Sequence, residues 1–349
     1  MIKQNSKYPL DFTELKELVR NKLKEKGKEE RIPNWTHISG GAETGSTWKR
    51  NIDSYGSIGF NMTAINDVNP EDIDLSATML GANISLPIGV APMSSAINFT
   101  CNNAFLELAK GCKEVGIATG LGFPSGSDVD GEMVKIGVPV FRIIKPLKDL
   151  DKLIDEVKKS EAKGCFATGV DIDSAAGLKP VGDESHFGEI TRPLTIDKLK
   201  KLRDSVSIPF IIKGVLSTKD AVSSMKIGAD AIVVSSHGGY AMDYCRSPLE
   251  VFLDIKKVVG DKMEIILDSG ITRGSDIIKA ISLGANSVLI GRLAIWGLLI
   301  GGGDGVAWII KLLEDEMKRV MTLLGVKKLK ELNSSYLVAL NKIGTNVLG

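Results

Sequence analysis

Lys213 lies inside an apolar run, IPFIIKGV, where an ammonium group costs free energy unless it is paired or used. A lysine there can pair with a carboxylate, form a Schiff base or stabilise an anionic cofactor. The plain structural reading is a salt bridge to Asp171 or Asp268. His237, one of three histidines, sits in VVSSHGG, where an apolar run gives way to two glycines that let a ligand approach the backbone. It can serve as a general base or stand as a core histidine with satisfied hydrogen bonds. Asp171, in GVDID, can orient that imidazole and stabilise its charged form, or cap a helix starting near Ser174. Two further segments, DSGITRGSD from Asp268 and IGR ending at Arg292, offer backbone N–H groups and an arginine to a phosphate. The plainer alternative is that Gly270, Gly274 and Gly291 only shape turns.

These polar groups all close apolar runs, so the elements that carry them must end side by side. From about residue 86, short β-branched runs alternate with amphipathic helical segments, the pattern of parallel strands with crossover helices. Eight such runs are present: LPIGVAPM, GIATGL, VPVFRII, CFATGVDID, IPFIIKGV, ADAIVVSSHGG, EIILDSG and ANSVLIGR. Eight units with no second cluster predict an α/β fold, a closed (β/α)8 TIM barrel with its site at the C-terminal ends of the strands. An open doubly wound sheet would carry a glycine-rich phosphate turn after its first strand, and VAPMSSAINF stands there instead. Residues 1–85 read as an N-terminal helical and extended segment that packs on the barrel, and residues 86–349 as the barrel with a closing C-terminal helix. Gly301 to Gly303 read as a flexible entry into that helix, without a ligand.

The charge balance, 44 Lys+Arg against 43 Asp+Glu in 349 residues, gives no bulk positive field for nucleic acid or an anionic membrane. The apolar run from Leu293 to Ile300 is short of the about 20 residues that cross a bilayer, and the N-terminus lacks a signal-peptide core. A soluble, cytoplasmic protein is expected. Cys101, Cys112, Cys165 and Cys245 show neither CxxC spacing nor a disulfide framework, so no metal centre is expected.

Taken in order, GGAxTGxTWxxN from Gly40 to Asn51, DxS from Asp74, LPIGVAPM, GVDID, IPFIIKGV, GADAIVVSSHGG and LDSGITRGSDIIKAISLGANSVLIGR resemble the FMN-dependent α-hydroxy-acid oxidase/dehydrogenase family, whose members include glycolate and lactate oxidases. The resemblance implies a barrel holding FMN over its strand ends, a small-molecule substrate and a homotetramer. It places Pro92, Met93 and Ser94 under the flavin ring, with Gly122, Arg142 and Gly169 around it, Lys213 near N1 and O2, and Ser235 on the ribityl side. Asp268, Ser269, Gly270, Ile271 and Thr272, with Gly291 and Arg292, would hold the ribityl chain and phosphate. His237 takes the place of the catalytic base and Asp171 that of its partner.

The substrate set departs from the family. Tyr240 stands where an arginine usually pairs with the substrate carboxylate, His37 and Ile144 replace two tyrosines, and Thr272 replaces a phosphate-loop arginine for which Arg273 could substitute. The resulting expectation is an FMN-dependent oxidoreductase acting on a CH–OH carbon by hydride transfer, on a substrate other than a simple 2-hydroxy acid, with Arg142 or Arg246 as a replacement carboxylate cation. The alternatives are oxidation of a CH–NH2 or peptide-derived substrate, an isomerase of the isopentenyl-diphosphate type, a Schiff-base aldolase using Lys213, and a barrel that binds FMN without catalysis.

Overall fold

In the computed structural model, which describes residues 11–25, 41–123, 128–176 and 190–340, all eight expected runs form strands. They are β4 (Ile88–Met93), β5 (Ala118–Gly122), β6 (Val140–Ile144), β7 (Ala167–Asp171), β8 (Phe210–Val215), β9 (Ala231–Val234), β10 (Glu264–Asp268) and β11 (Ser287–Ile290). The strands pair in parallel and in sequence order, and β11 closes on β4 to complete the barrel. Each strand is buried on both faces, which is why the runs read as continuously apolar rather than alternating.

The period of two still decides which way each side chain points. Ala118, Phe141, Ile143, Ala167, Ile211, Ala231, Val233, Ile266 and Leu289 fill the barrel interior. The residues between them, among them Val140, Ile144, Val170, Ile212, Val234 and Ile290, pack outward in the larger core shared with the helices. Those helices are α3 (Ala104–Val115), α4 (Val129–Ile136), α5 (Leu150–Ala162), α6 (Ile196–Arg203), α7 (Thr218–Lys226), α8 (Pro248–Val259), α9 (Gly274–Ser282) and α10 (Arg292–Leu324).

The N-terminal segment serves both ends of the barrel. A hairpin of β2 (Ala77–Met79) and β3 (Ala82–Ile84) plugs the N-terminal mouth: Met79 and Ile84 join the interior cluster, and the Glu264 carboxylate accepts from the Leu80 N–H at 3.0 Å. At the opposite mouth, α2 (Ser46–Gly56) lies over the strand ends. Asp243, in the loop after β9, caps α2 by accepting from the N–H groups of Thr44 at 2.9 Å and Thr47 at 2.8 Å. These hydrogen bonds hold Asp243 down at a pKa of about 2 although burial opposes its ionisation. Gly270 is needed where α2 presses closest, because a Cβ there would fall 2.3 Å from the Asn51 carbonyl oxygen, and its φ is +87°.

The C-terminal helix differs from expectation. It begins at Arg292 rather than after the glycines, and Gly301 and Gly302 break it instead of opening it, with φ of −169° and +58°. α10 has the length and apolarity of a membrane span, and 78% of its most apolar window is buried inside the fold. That burial explains the apolar composition as core packing.

Candidate active site

Continuing the inward parity past each strand's last apolar residue predicts which polar groups meet. Ile143 leads to Lys145, Ala167 and Gly169 to Asp171, Ile211 to Lys213, Val233 to Ser235, and Ile266 to Asp268. The barrel register then sets Asp171 directly across from Lys213. The ammonium of Lys213 lies 3.1 Å from Asp171 Oδ1, and that of Lys145 lies 2.8 Å from Asp171 Oδ2. Asp171 makes no side-chain cap to the short helical turn that follows it, so its carboxylate belongs to this cluster.

His237 joins from the loop after β9. Its Nδ1 stands 2.9 Å from Asp173 Oδ1, 3.2 Å from Lys213 Nζ and 3.3 Å from Asp171 Oδ2. The residue has a φ of +56°, a left-handed backbone that is rare for a residue with a side chain and is held here by the surrounding contacts. Its N–H donates to Ser235 Oγ at 3.0 Å, and Ser235 in turn donates to Asp268 Oδ2 at 2.8 Å.

Burial disfavours the charges of Asp171, Lys213 and His237, and mutual pairing outweighs it at these three. Burial opposes the Asp171 carboxylate, but His237 foremost, then Lys145 and Lys213, hold it well below the usual carboxylate range. Burial lowers the Lys213 pKa, but Asp171 foremost, with Asp173 and Asp268, raises it overall. Burial opposes the His237 imidazolium, and Asp171 and then Asp173 outweigh it, so the imidazole pKa is raised. Burial and the Asp171 charge push Asp173 up.

The cluster is the polar wall of a cavity of about 730 Å3 over the strand ends. Of the residues singled out in the sequence, Pro92, Met93, Ser94, Gly122, Asp171, Lys213, His237, Tyr240, Asp268, Ser269, Gly270, Ile271, Thr272, Gly291 and Arg292 line it. The start of α10 is the expected phosphate site. The helix begins after Gly291 without a side-chain cap, and the Arg292 guanidinium donates to the Gly238 carbonyl at 3.0 Å and lies 5.3 Å from the Tyr240 ring centre and 5.7 Å from that of Trp48. Four buried polar atoms on lining residues have no protein partner among the described residues: Arg292 Nε, Tyr240 Oη, Trp48 Nε1 and Trp296 Nε1. An open helix start, an arginine and orphaned donors along an apolar cavity suit a flavin nucleotide with its phosphate on Arg292. Thr272 lines the cavity with its hydroxyl on Asp276, and Arg273, the candidate replacement for the family's arginine, lines it too, with its guanidinium on Glu316 and over the Phe12 ring.

Other expected residues fall elsewhere. Arg142 and Ile144 carry the outward parity of β6: Arg142 is buried between the barrel and helices, donating to Glu156 at 2.7 Å with Asp130 at 3.6 Å, and Ile144 packs in the outer core. Neither faces the cavity, because the alternation along β6 gives the inward positions to Ile143 and Lys145. Gly169 lies in the barrel wall, where a Cβ would strike the Ile211 carbonyl oxygen at 2.0 Å, and Ser235 sits beneath the surface of the cavity as a support for His237 and Asp268. Arg246 is exposed, with its guanidinium on the Glu250 carbonyl and near Asp254, so it does not serve the cavity. His37 lies outside the described residues. Lys145 was not anticipated, although its spacing of two and four from Ile143 and Phe141 marks it as inward-facing.

A family model described as FMN-dependent dehydrogenase matches residues 28–185 and 176–339. A 2-hydroxyacid oxidase of Dictyostelium discoideum is 44% identical over 149 residues, 43% of this chain and 38% of that protein. An L-lactate oxidase of Nostoc sp. is 40% identical over 171 residues, 49% of this chain and 46% of that protein. The chain thus spans less than half the length of these two relatives at that identity. Mandelate oxidase, solved with benzoyl-formic acid, superposes with a TM-score of 0.85 over 95% of this chain and 99% of its own at 24% identity, a likeness of fold.

Proposed function

The chain belongs to the FMN-dependent dehydrogenase family, and from that premise we propose that it oxidises the CH–OH carbon of a 2-hydroxy acid to the 2-oxo acid. The observation that carries this reading is that one cavity is lined both by the cluster of His237, Asp171 and Lys213 and by the uncapped start of α10 with Arg292.

FMN, when bound, supplies the hydride acceptor. Arg292 and the N–H groups at the start of α10 would hold its phosphate, and Lys213 supplies a fixed cation where negative charge accumulates. His237 has Nδ1 turned toward the carboxylates of Asp173 and Asp171, and Nε2 is the nitrogen that would take the hydroxyl proton as the carbonyl forms. The substrate carboxylate needs a counter-charge, and Tyr240 cannot provide one. Lys145 can: its ammonium lines the cavity and spends one of three donors on Asp171 among the described residues. The 2-hydroxy acid is therefore favoured over a substrate without a carboxylate, and the relatives named above do not favour the amine, isomerase or aldolase alternatives.

The reading is tested by releasing the bound cofactor by heat and by anaerobic reduction of the holoenzyme with a panel of 2-hydroxy acids. FMN and a bleached flavin are expected; FAD, or no reduction by any acid, would sink it. We further propose a cytoplasmic homo-oligomer, a reading supported by four unbridged cysteines and by the exposed apolar Met242 and Tyr244 in the loop after β9.

A further inference from the structure

Three groups compete for one ring nitrogen. Around His237 Nδ1 stand Asp173 Oδ1 at 2.9 Å, Lys213 Nζ at 3.2 Å and Asp171 Oδ2 at 3.3 Å, with Lys145 beyond, on Asp171. A neutral imidazole carries one proton, and its placement depends on which neighbour wins. If Lys213 donates to Nδ1, the proton sits on Nε2 and the residue has no free base. If a carboxylate accepts from Nδ1–H, Nε2 keeps its lone pair. Asp171 is the farther of the two carboxylates: its Oδ2 stands 3.3 Å from Nδ1 and also receives Lys145, whereas Asp173 Oδ1 stands at 2.9 Å.

We propose that Asp173 is the positioning residue that selects the Nδ1–H tautomer of His237 and so keeps Nε2 free as the base. Two features of the fold serve this placement. β8 slips register between Lys213 and Val215, and Gly214 in that slip has a φ of +94°; a Cβ on it would fall 2.5 Å from Asp173 Cγ. Only glycine gives Asp173 room to reach the imidazole. The second oxygen of Asp173, Oδ2, is buried with no hydrogen-bond partner among the described residues, on a side chain 9% exposed. A half-satisfied buried carboxylate is a cost to stability, so its place here is accounted for by what its other oxygen does.

This proposal rests on His237 being the base of the reaction proposed above, and the two can fail separately. The test is the 15N spectrum of imidazole-labelled holoenzyme, recorded above the titration of His237. The chain has three histidines, so single glutamine substitutions of His37 and His186 assign the signals. The wild-type protein should show His237 as Nδ1–H. Asp173→Ala should move the proton to Nε2 and slow flavin reduction about 100-fold, the low end of what a general base contributes. Asp173→Asn, whose amide oxygen can accept from Nδ1–H, should restore much of both. A wild-type spectrum showing Nε2–H overturns the proposal before any variant is made. An Nδ1–H signal that persists in Asp173→Ala, or is lost only in Asp171→Ala, overturns it in favour of Asp171. If no 2-hydroxy acid reduces the flavin while the tautomer follows Asp173, the reaction is misassigned and the positioning role stands.

Discussion

Around His237 the opposing effects of burial and carboxylate charge settle in favour of the imidazolium, with a pKa above the usual histidine value. The base works only when neutral, so activity must be lost as pH falls through that raised pKa. The rate constant of anaerobic flavin reduction should rise with pH along a limb above the ordinary histidine range; a limb at or below that range would contradict the geometry of the two aspartates. For Lys145 the readout is ligand affinity. Lys145→Met should weaken binding of oxalate, followed by its perturbation of the flavin spectrum, by about 2–5 kcal/mol, the loss typical when one partner of a buried charge pair is removed. Cofactor content should be unchanged, since Lys145 pairs with Asp171 and the phosphate is assigned to Arg292. Asp171, Lys213 and His237 were legible because each interrupts or ends an apolar run. Lys145 was not, because only the alternation of Phe141 and Ile143 into the barrel fixes the parity of β6.

At the scale of elements, the number and place of the strands were readable, since runs buried on both faces leave a dense β-branched signature, but each run extended past its strand at one end or both. The docking of α2 was not. Its cap comes from Asp243, nearly two hundred positions away in sequence, and no local pattern reports such a partner. Asp243→Ala should cost about 0.5–2 kcal/mol of local stability, as loss of a helix cap does, and should appear as faster hydrogen exchange in residues 44–51. Because Asn51 donates to Ser236 at 2.8 Å beside His237, the same variant should raise KM more than it alters FMN content. Unchanged exchange in α2 would show that Asp243 is not what holds it. The broken α10 was also hidden, because three glycines in a row read equally well as an entry or as a break.

For the whole molecule, the barrel keeps stability and chemistry at opposite mouths. Met79 is fully buried in the plug and its methyl carbon packs 3.0 Å from where a Gly89 Cβ would lie, whereas the cavity begins beyond the inner layer of side chains. Met79→Ala should therefore lower unfolding free energy by about 2–5 kcal/mol in a denaturant titration and leave the flavin reduction rate within a few-fold of wild type. A large drop in that rate would mean that the two mouths are coupled. The central claim, that this cavity runs base-assisted oxidation of a 2-hydroxy acid on bound FMN, is tested most directly by mixing oxygen-free holoenzyme with 2-hydroxy acids and with their amides, beside His237→Asn. The account predicts that an acid bleaches the wild-type flavin, that its amide does so far more slowly, and that His237→Asn retains FMN while reduction slows by about two to four orders of magnitude. Equal reduction by acid and amide, or a wild-type rate in His237→Asn, would contradict it.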